Sequence, residues 1–224
     1  IPQVVKALTE RRSGREAELR EIAEPSKCPS CGKVLLKRAG EVALRCESAS
    51  CPGQLVEALA HFCSKDAMDV EGFGPALCRE LVASGLVRDL ADLYGLTADK
   101  FRVLPRMGDR SAAKAAAAVA RSRARATLSK LLVGLGVPLV GETWARRVAA
   151  RFRSIAELTA STPEQVYAAL LSVPGFGEER AGAVRDWLKD PRRRATLAKL
   201  VVRGVSPTEP DTELTSNAMS GKVV

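Results

Sequence analysis

The chain has 224 residues, with 35 Lys and Arg against 26 Asp and Glu and a formal charge of +9. Its length suits one or two domains, and its surface favours polyanions, whether nucleic acid or an anionic membrane face. Aromatic residues make up 4%, too few for a base-stacking platform on single strands, and the one histidine, His61, has no Ser, Cys or Asp motif beside it to support triad-type catalysis. The longest apolar run, Leu131 to Gly141, is too short and too glycine-rich to span a bilayer.

In chain order, Ile1 to about Leu8 reads as the end of a strand, and Val223-Val224 as the start of another element. With neither an initiator Met nor a charged leader at Ile1-Pro2, the sequence is expected to be a piece of something larger. The charged residues 9 to 24 read as a linker or a short solvated helix.

Cys28-Pro-Ser-Cys31-Gly32 then opens a C-x2-C-x14-C-x4-C pattern completed by Cys46 and Cys51. Four soft thiolates at this spacing suit a closed tetrahedral zinc site, one structural zinc per chain. The competing readings are a disulfide pair and a redox CxxC. The first needs an oxidising compartment for which nothing in the sequence argues. The second wants a strand before the motif and a helix after it, where Pro25 and Gly32 stand instead. Val34 to Arg45 alternates weakly around Ala39-Gly40 and is expected to form a short hairpin, too small to fold without metal. Cys63 and Cys78 fall outside the spacing and read as buried thiols, and His61 as a core or surface histidine.

From residue 56 the periodicity is helical: Leu55, Leu59 and Phe62 share one face, as do Leu77, Leu81 and Val82. Thr97, Thr143 and Ser161-Thr162-Pro163-Glu164 mark helix starts, Arg203-Gly204 closes the helical region, and Pro207 to Glu213 reads as a polar linker. Within this region a glycine turn recurs: Gly72-Phe73-Gly74, Arg106-Met107-Gly108, Leu139-Val140-Gly141 and Gly175-Phe176-Gly177, their last glycines 34, 33 and 36 residues apart. A period of that size is an internal repeat.

Each turn opens a helix rich in Ala, Arg and Lys, so bare backbone N–H groups stand at the positive end of a helix dipole, where a phosphate binds. Gly72 and Gly74 both permit positive φ and close backbone approach; the first and fourth turns, which keep both glycines, are the best phosphate sites. Arg110, Lys114, Arg146 and Arg180 follow the turns, and Thr143 lies just past Gly141. Such contacts position a duplex without reading its sequence. The competing reading is that the turns only connect packed helices. A dinucleotide fingerprint fails because Leu77 and Arg180 stand where its third glycine belongs.

The run from His61 to Gly74, directly after the four-cysteine knuckle, resembles the bacterial NAD-dependent DNA ligases, as do Gly134 to Thr143 and Val173 to Gly177. The resemblance covers the whole chain. It implies a mainly α fold, a small four-cysteine zinc ribbon followed by an all-helical domain of four helix-hairpin-helix repeats. It also implies four parts: the end of an OB-fold domain and linker (1–24), the four-cysteine zinc finger (25–55), the helix-hairpin-helix DNA-binding domain (56–205), and a linker with the first strand of a BRCT domain, Ser220 to Val224 (206–224).

In that family an adenylation domain takes AMP from NAD onto a lysine of a Lys-x-Asp-Gly motif, with magnesium, and passes it to the 5′-phosphate of a nick. No such motif is present in these residues, so the resemblance implies no catalytic residue and no NAD or magnesium bound by this part. It implies instead a monomeric clamp on nicked double-stranded DNA through the minor groove, working with the adenylation and OB domains of the same parent chain in the bacterial cytoplasm, at the nucleoid. Zinc would fix the OB and helix-hairpin-helix parts to each other. The DNA contacts implied are Gly72, Gly74, Arg106, Gly108, Arg110, Lys114, Gly141, Thr143, Arg146, Gly175, Gly177 and Arg180. The chain departs from the family at Arg106, where the second hairpin usually has glycine. An arginine there either weakens backbone approach or adds a charge-assisted phosphate contact, and Pro105 stiffens that turn. The alternative is a free-standing helix-hairpin-helix module of a repair or recombination complex.

Overall fold

The computed structural model describes residues 6, 8–14, 20, 23–37, 40 and 42–209, so the strands expected at the two ends of the chain lie outside the described residues. The chain divides into two compact units, Ile1–Ser48 and Ala49–Val224.

In the first unit a short 3-10 helix, Thr9–Arg12, is followed by the cysteine ribbon. Lys27 and Val34 bridge across the CxxC turn, and β1 (Leu36–Lys37) pairs antiparallel with β2 (Leu44–Arg45), with Leu36 opposite Arg45 and Lys37 opposite Leu44. This is the hairpin expected from the alternation, with Gly40 at φ +80° near its tip. It has almost no apolar interior: among the described residues of this unit only Cys28 is buried, and Val42 is 88% exposed.

The second unit is helical. Its helices are α1 (Pro52–Cys63), α2 (Pro75–Ala83), α3 (Ala98–Arg102), α4 (Asp109–Ala124) and α5 (Leu128–Gly134), then α6 (Glu142–Phe152), α7 (Ile155–Ala160), α8 (Pro163–Leu171), α9 (Glu178–Lys189) and α10 (Pro191–Val202). Local chemistry sets most of their starts. Thr97, Thr127, Ser154 and Thr162 each accept the N–H three residues on through the side-chain hydroxyl, and proline stands at the first position of α1, α2, α8 and α10. At α8 the capping box closes with Gln165, whose Oε1 accepts the Thr162 N–H at 2.8 Å. Thr143 is not a cap: Gly141 caps α6, and Thr143 sits on its exposed first turn.

One apolar core runs through the unit, from Val56 on α1 to Val205 beyond α10, with Phe62, Phe101 and Leu131 sealed from solvent. Where α5 meets α1 the packing is tight: a Cβ on Gly134 would stand 3.0 Å from Phe62 Cδ2 and 3.3 Å from Ala67 Cβ, so these neighbours would have to give way. Ser122, buried on α4, donates to the Met68 carbonyl at 2.8 Å and meets the Tyr94 hydroxyl at 3.1 Å, so its polar atom is satisfied inside that core. Cys63 and Cys78 are buried, as expected. Hydrogen bonding with Cys78, then burial, pushes the Cys63 thiol well above its ordinary range, which keeps it protonated.

As far as Glu209, the last described residue, the chain after α10 is pinned to the helical unit. Val205 and Pro207 are buried, Thr208 bridges Ser154, and the Glu209 N–H donates to the Arg153 carbonyl at 2.8 Å. The Glu209 carboxylate accepts from the Ser129 N–H at 3.0 Å and the Ser129 hydroxyl at 2.8 Å, which puts a negative charge on the first turn of α5. Residues 205–209 are held by backbone and carboxylate partners distant in sequence.

Candidate metal centre and nucleic-acid interface

Cys28, Cys31, Cys46 and Cys51 bring their sulfurs within 4.8 Å of one another, and the Cys31 and Cys46 sulfurs lie 3.5 Å apart. Four thiolates around zinc at about 2.3 Å stand about 3.8 Å apart, so the cluster fits the ion. None of the six cysteines forms a disulfide. The local backbone builds the site: Gly32, at φ +71°, donates to the Cys28 carbonyl at 2.8 Å, and the backbone amides of Cys31 and then Ser30 hold the Cys28 thiol below its ordinary range. Cys51 is the N-cap of α1, where the helix dipole favours a thiolate. With all four positions filled by sulfur there is no open coordination site, so this is a structural and not a catalytic zinc. His61 takes no part; it is exposed, and its Nε2 lies 2.8 Å from the Val133 carbonyl.

The four glycine turns share one backbone. In each, the N–H of the apolar fourth residue meets the carbonyl three residues earlier: Phe73 to Val70 at 3.3 Å, Met107 to Leu104 at 3.3 Å, Val140 to Val137 at 3.2 Å and Phe176 to Val173 at 3.0 Å. The residue before it is left-handed every time, Gly72 at φ +86°, Arg106 at +60°, Leu139 at +62° and Gly175 at +75°. Pro105, Pro138 and Pro174 precede three of these residues. Positive φ at the third position of a turn whose second is proline is the type II form. The apolar residue then turns inward, Phe73 meeting Phe101 edge-on at 5.8 Å.

The closing glycine has a different task from the one its pairing with Gly72 suggests. Gly74, Gly108, Gly141 and Gly177 are extended, not left-handed, and each is the N-cap of its helix with no side-chain cap bond. A Cβ on any of the four would meet nothing within 4 Å. Glycine here leaves open space over the unpaired N–H groups of α2, α4, α6 and α9, where an anion can approach. Leu139 is 53% exposed and strained by its positive φ, so Leu139→Gly is expected to raise stability by about 0.5–1 kcal/mol, read as a higher thermal midpoint. A lower midpoint would show that its side chain stabilises the turn.

Acidic residues make the four helix starts unequal. The first turn of α2 holds none, α4 has Asp109, α6 has Glu142, and α9 has both Glu178 and Glu179. Asp109 is paired with Arg102 at 2.9 Å and Glu142 with Arg146, whereas Glu178 and Glu179 have no ion-pair partner among the described residues. Acids there offset the positive end of the dipole. The positive end of the α2 dipole is therefore left without an acid on its first turn, whereas Glu178 and Glu179 offset that of α9.

The basic residues also divide. Arg106 and Arg110 are exposed, with no ion pair among the described residues. Lys114 lies 3.9 Å from Glu71 of the first turn, and Arg121 of the same helix lies 3.0 Å from it. Arg180 is half-buried and turned inward: its Nε donates to the Leu139 carbonyl at 3.2 Å and its guanidinium lies on the Trp144 ring. No spacing rule singles out Trp144 or Arg147, because their partners lie in another turn. Among the described residues no helix is long and apolar enough to cross a membrane.

Residues 27–52 match the family model of the NAD-dependent DNA ligase C4 zinc finger domain, which takes in all four ligands, and residues 130–197 match the helix-hairpin-helix motif, which takes in the third and fourth turns. The chain is 43% identical over 209 residues to a DNA ligase of Trichlorobacter lovleyi, covering 93% of this chain and 29% of that protein. It is 41% identical over 208 residues to one of Geobacter sulfurreducens, covering 93% and 30%. A DNA ligase of Pelotomaculum thermopropionicum is 38% identical over 224 residues, covering 100% and 32%. The chain thus spans about a third of the length of these relatives. The chain thus carries an NAD-dependent DNA ligase C4 zinc finger domain followed by a helix-hairpin-helix motif, and along nearly all of its length it is similar to part of the DNA ligases.

Proposed function

We propose that this chain is the part of an NAD-dependent DNA ligase that grips nicked duplex DNA while an adenylation domain outside it seals the nick. The observation that carries the reading is the fourfold recurrence of one turn, each ending in a side-chain-free N-cap that faces open space. The turns bind phosphates of the sugar–phosphate backbone, Arg106, Arg110 and Lys114 add charge around the second, and Thr143 and Arg146 flank the third. Base identity is not read, because the turns offer only backbone N–H groups. No residue here makes or breaks bonds; the chain alone, given NAD and magnesium, seals nothing.

Titration of a nicked duplex at 50 and 200 mM salt tests this. With about four phosphates neutralised, affinity should fall by roughly two orders of magnitude across that range. No binding at the lower salt would leave the turns as packing devices. Upstream sequence lacking a Lys-x-Asp-Gly motif would instead favour a free-standing duplex-binding module.

A further inference from the structure

Trp144 stands three residues after Gly141 on the first turn of α6, and Arg180 three residues after Gly177 on the first turn of α9. These equivalent positions meet. The Arg180 guanidinium lies 3.9 Å from the Trp144 ring centroid, and the Arg147 guanidinium lies over the same ring at 4.6 Å. Each arginine also reaches into the other hairpin: Arg147 donates to the Pro174 carbonyl of the fourth turn, and Arg180 to the Leu139 carbonyl of the third. The indole packs edge-on against Phe176 at 5.3 Å, and a Cβ on Gly175 would stand 3.5 Å from Trp144.

The two guanidinium groups over this ring carry like charge, so the aromatic face and the turn carbonyls, all electron-rich, are what hold them there. The first two turns have nothing comparable. Leu77 and Ser111 occupy the equivalent positions, and the ion pairs of Glu71 with Lys114 and Arg121 are exposed.

We propose that Trp144, Arg147 and Arg180 are positioning residues that lock the third and fourth turns into one double phosphate grip, so that the two engage a duplex as a unit. This rests on the reading of the turns as duplex contacts. A locked pair loses less conformational freedom on binding than two turns moving independently.

The test uses the full 224-residue chain with zinc bound. Trp144→Ala, Trp144→Phe, Arg180→Gln and the Trp144→Ala/Arg180→Gln double variant are compared for duplex affinity across a salt series. Hydrogen exchange is followed at the Val140 and Phe176 amides. Trp144→Ala and Arg180→Gln should each weaken binding roughly tenfold, with the salt slope unchanged. The double variant should bind no worse than the weaker single one, and Trp144→Phe should keep most of the affinity. Exchange should quicken at both amides in either single variant.

A slope reduced by about 0.9 in Arg180→Gln would make Arg180 a phosphate contact and overturn its positioning role. Exchange that quickens in one turn only would overturn the coupling. If the unaltered chain binds no duplex while both turns still loosen together, the lock stands and the duplex reading falls.

Discussion

Zinc removal by a strong chelator, or Cys28→Ala, is expected to unfold the cysteine ribbon and leave the helices standing. The reason lies in where apolar surface is buried. Up to Ser48, Cys28 alone among the described residues is buried, while Val34, Leu36 and Val42 face solvent, so no apolar core backs the pairing of strands of two residues and the metal must supply what a core would. Structural zinc supplies on the order of 10–16 kcal/mol to a module of this kind. The helical unit, by contrast, has a continuous core from Val56 to Val205. Helical circular dichroism should therefore change little, the amide signals of residues 26–46 should collapse to unfolded positions, and native mass should fall by one zinc. A native mass with no zinc in the untreated chain, or loss of the helical signal along with the metal, would refute this account.

Gly74→Val is expected to weaken duplex binding at least tenfold while costing no more than about 1 kcal/mol of stability. Gly74 is already extended and its Cβ direction is empty, so valine fits the folded chain. What it fills is the space above the N–H groups of α2. Gly177→Val makes the same change at α9 and should have a smaller effect, because Glu178 and Glu179 already oppose an anion there. Both losses should be alike for every duplex sequence, since backbone contacts carry no base information. Equal affinity for Gly74→Val and the unaltered chain would remove the first turn from the interface. Gly72→Val is no substitute for this experiment: at φ +86° it strains the turn itself, and folding and binding would fall together.

The parts legible from sequence are those written in local spacing. Four cysteines at ligand spacing, glycine turns at a regular period and the capping hydroxyls of Thr97 and Thr162 are each marked by residue type at a fixed spacing, and each is present in the structure. The division of labour between the two glycines of a turn is not legible from glycine alone, since either can adopt positive φ in principle. The cue is proline: Pro105, Pro138 and Pro174 mark the second position of a turn, which puts Arg106, Leu139 and Gly175 at the third, the residue that is left-handed in the type II form seen in the structure. Arg106 therefore keeps the backbone form of the turn in which glycine is the usual residue.

Arg180 shows the other limit. A basic residue on the first turn of a glycine-capped helix looks like a phosphate ligand, and nothing nearby in sequence announces that Trp144 and the Leu139 carbonyl will take its guanidinium. Such partners, like those of Glu209, are separated by dozens of residues and follow no period.

The anchoring of Glu209 on Ser129 and Arg153 also shortens a leash. Counted from the end of α10 at Val202, the chain as far as Glu209 would provide about 25 Å of free travel at about 3.5 Å per residue. Tied down, it provides none, and the described chain ends beside the first turn of α5 instead of beyond the end of α10. A fixed exit point confines the next residues of a chain to a smaller volume than a free stretch would, and so raises their effective concentration near that point without any new contact.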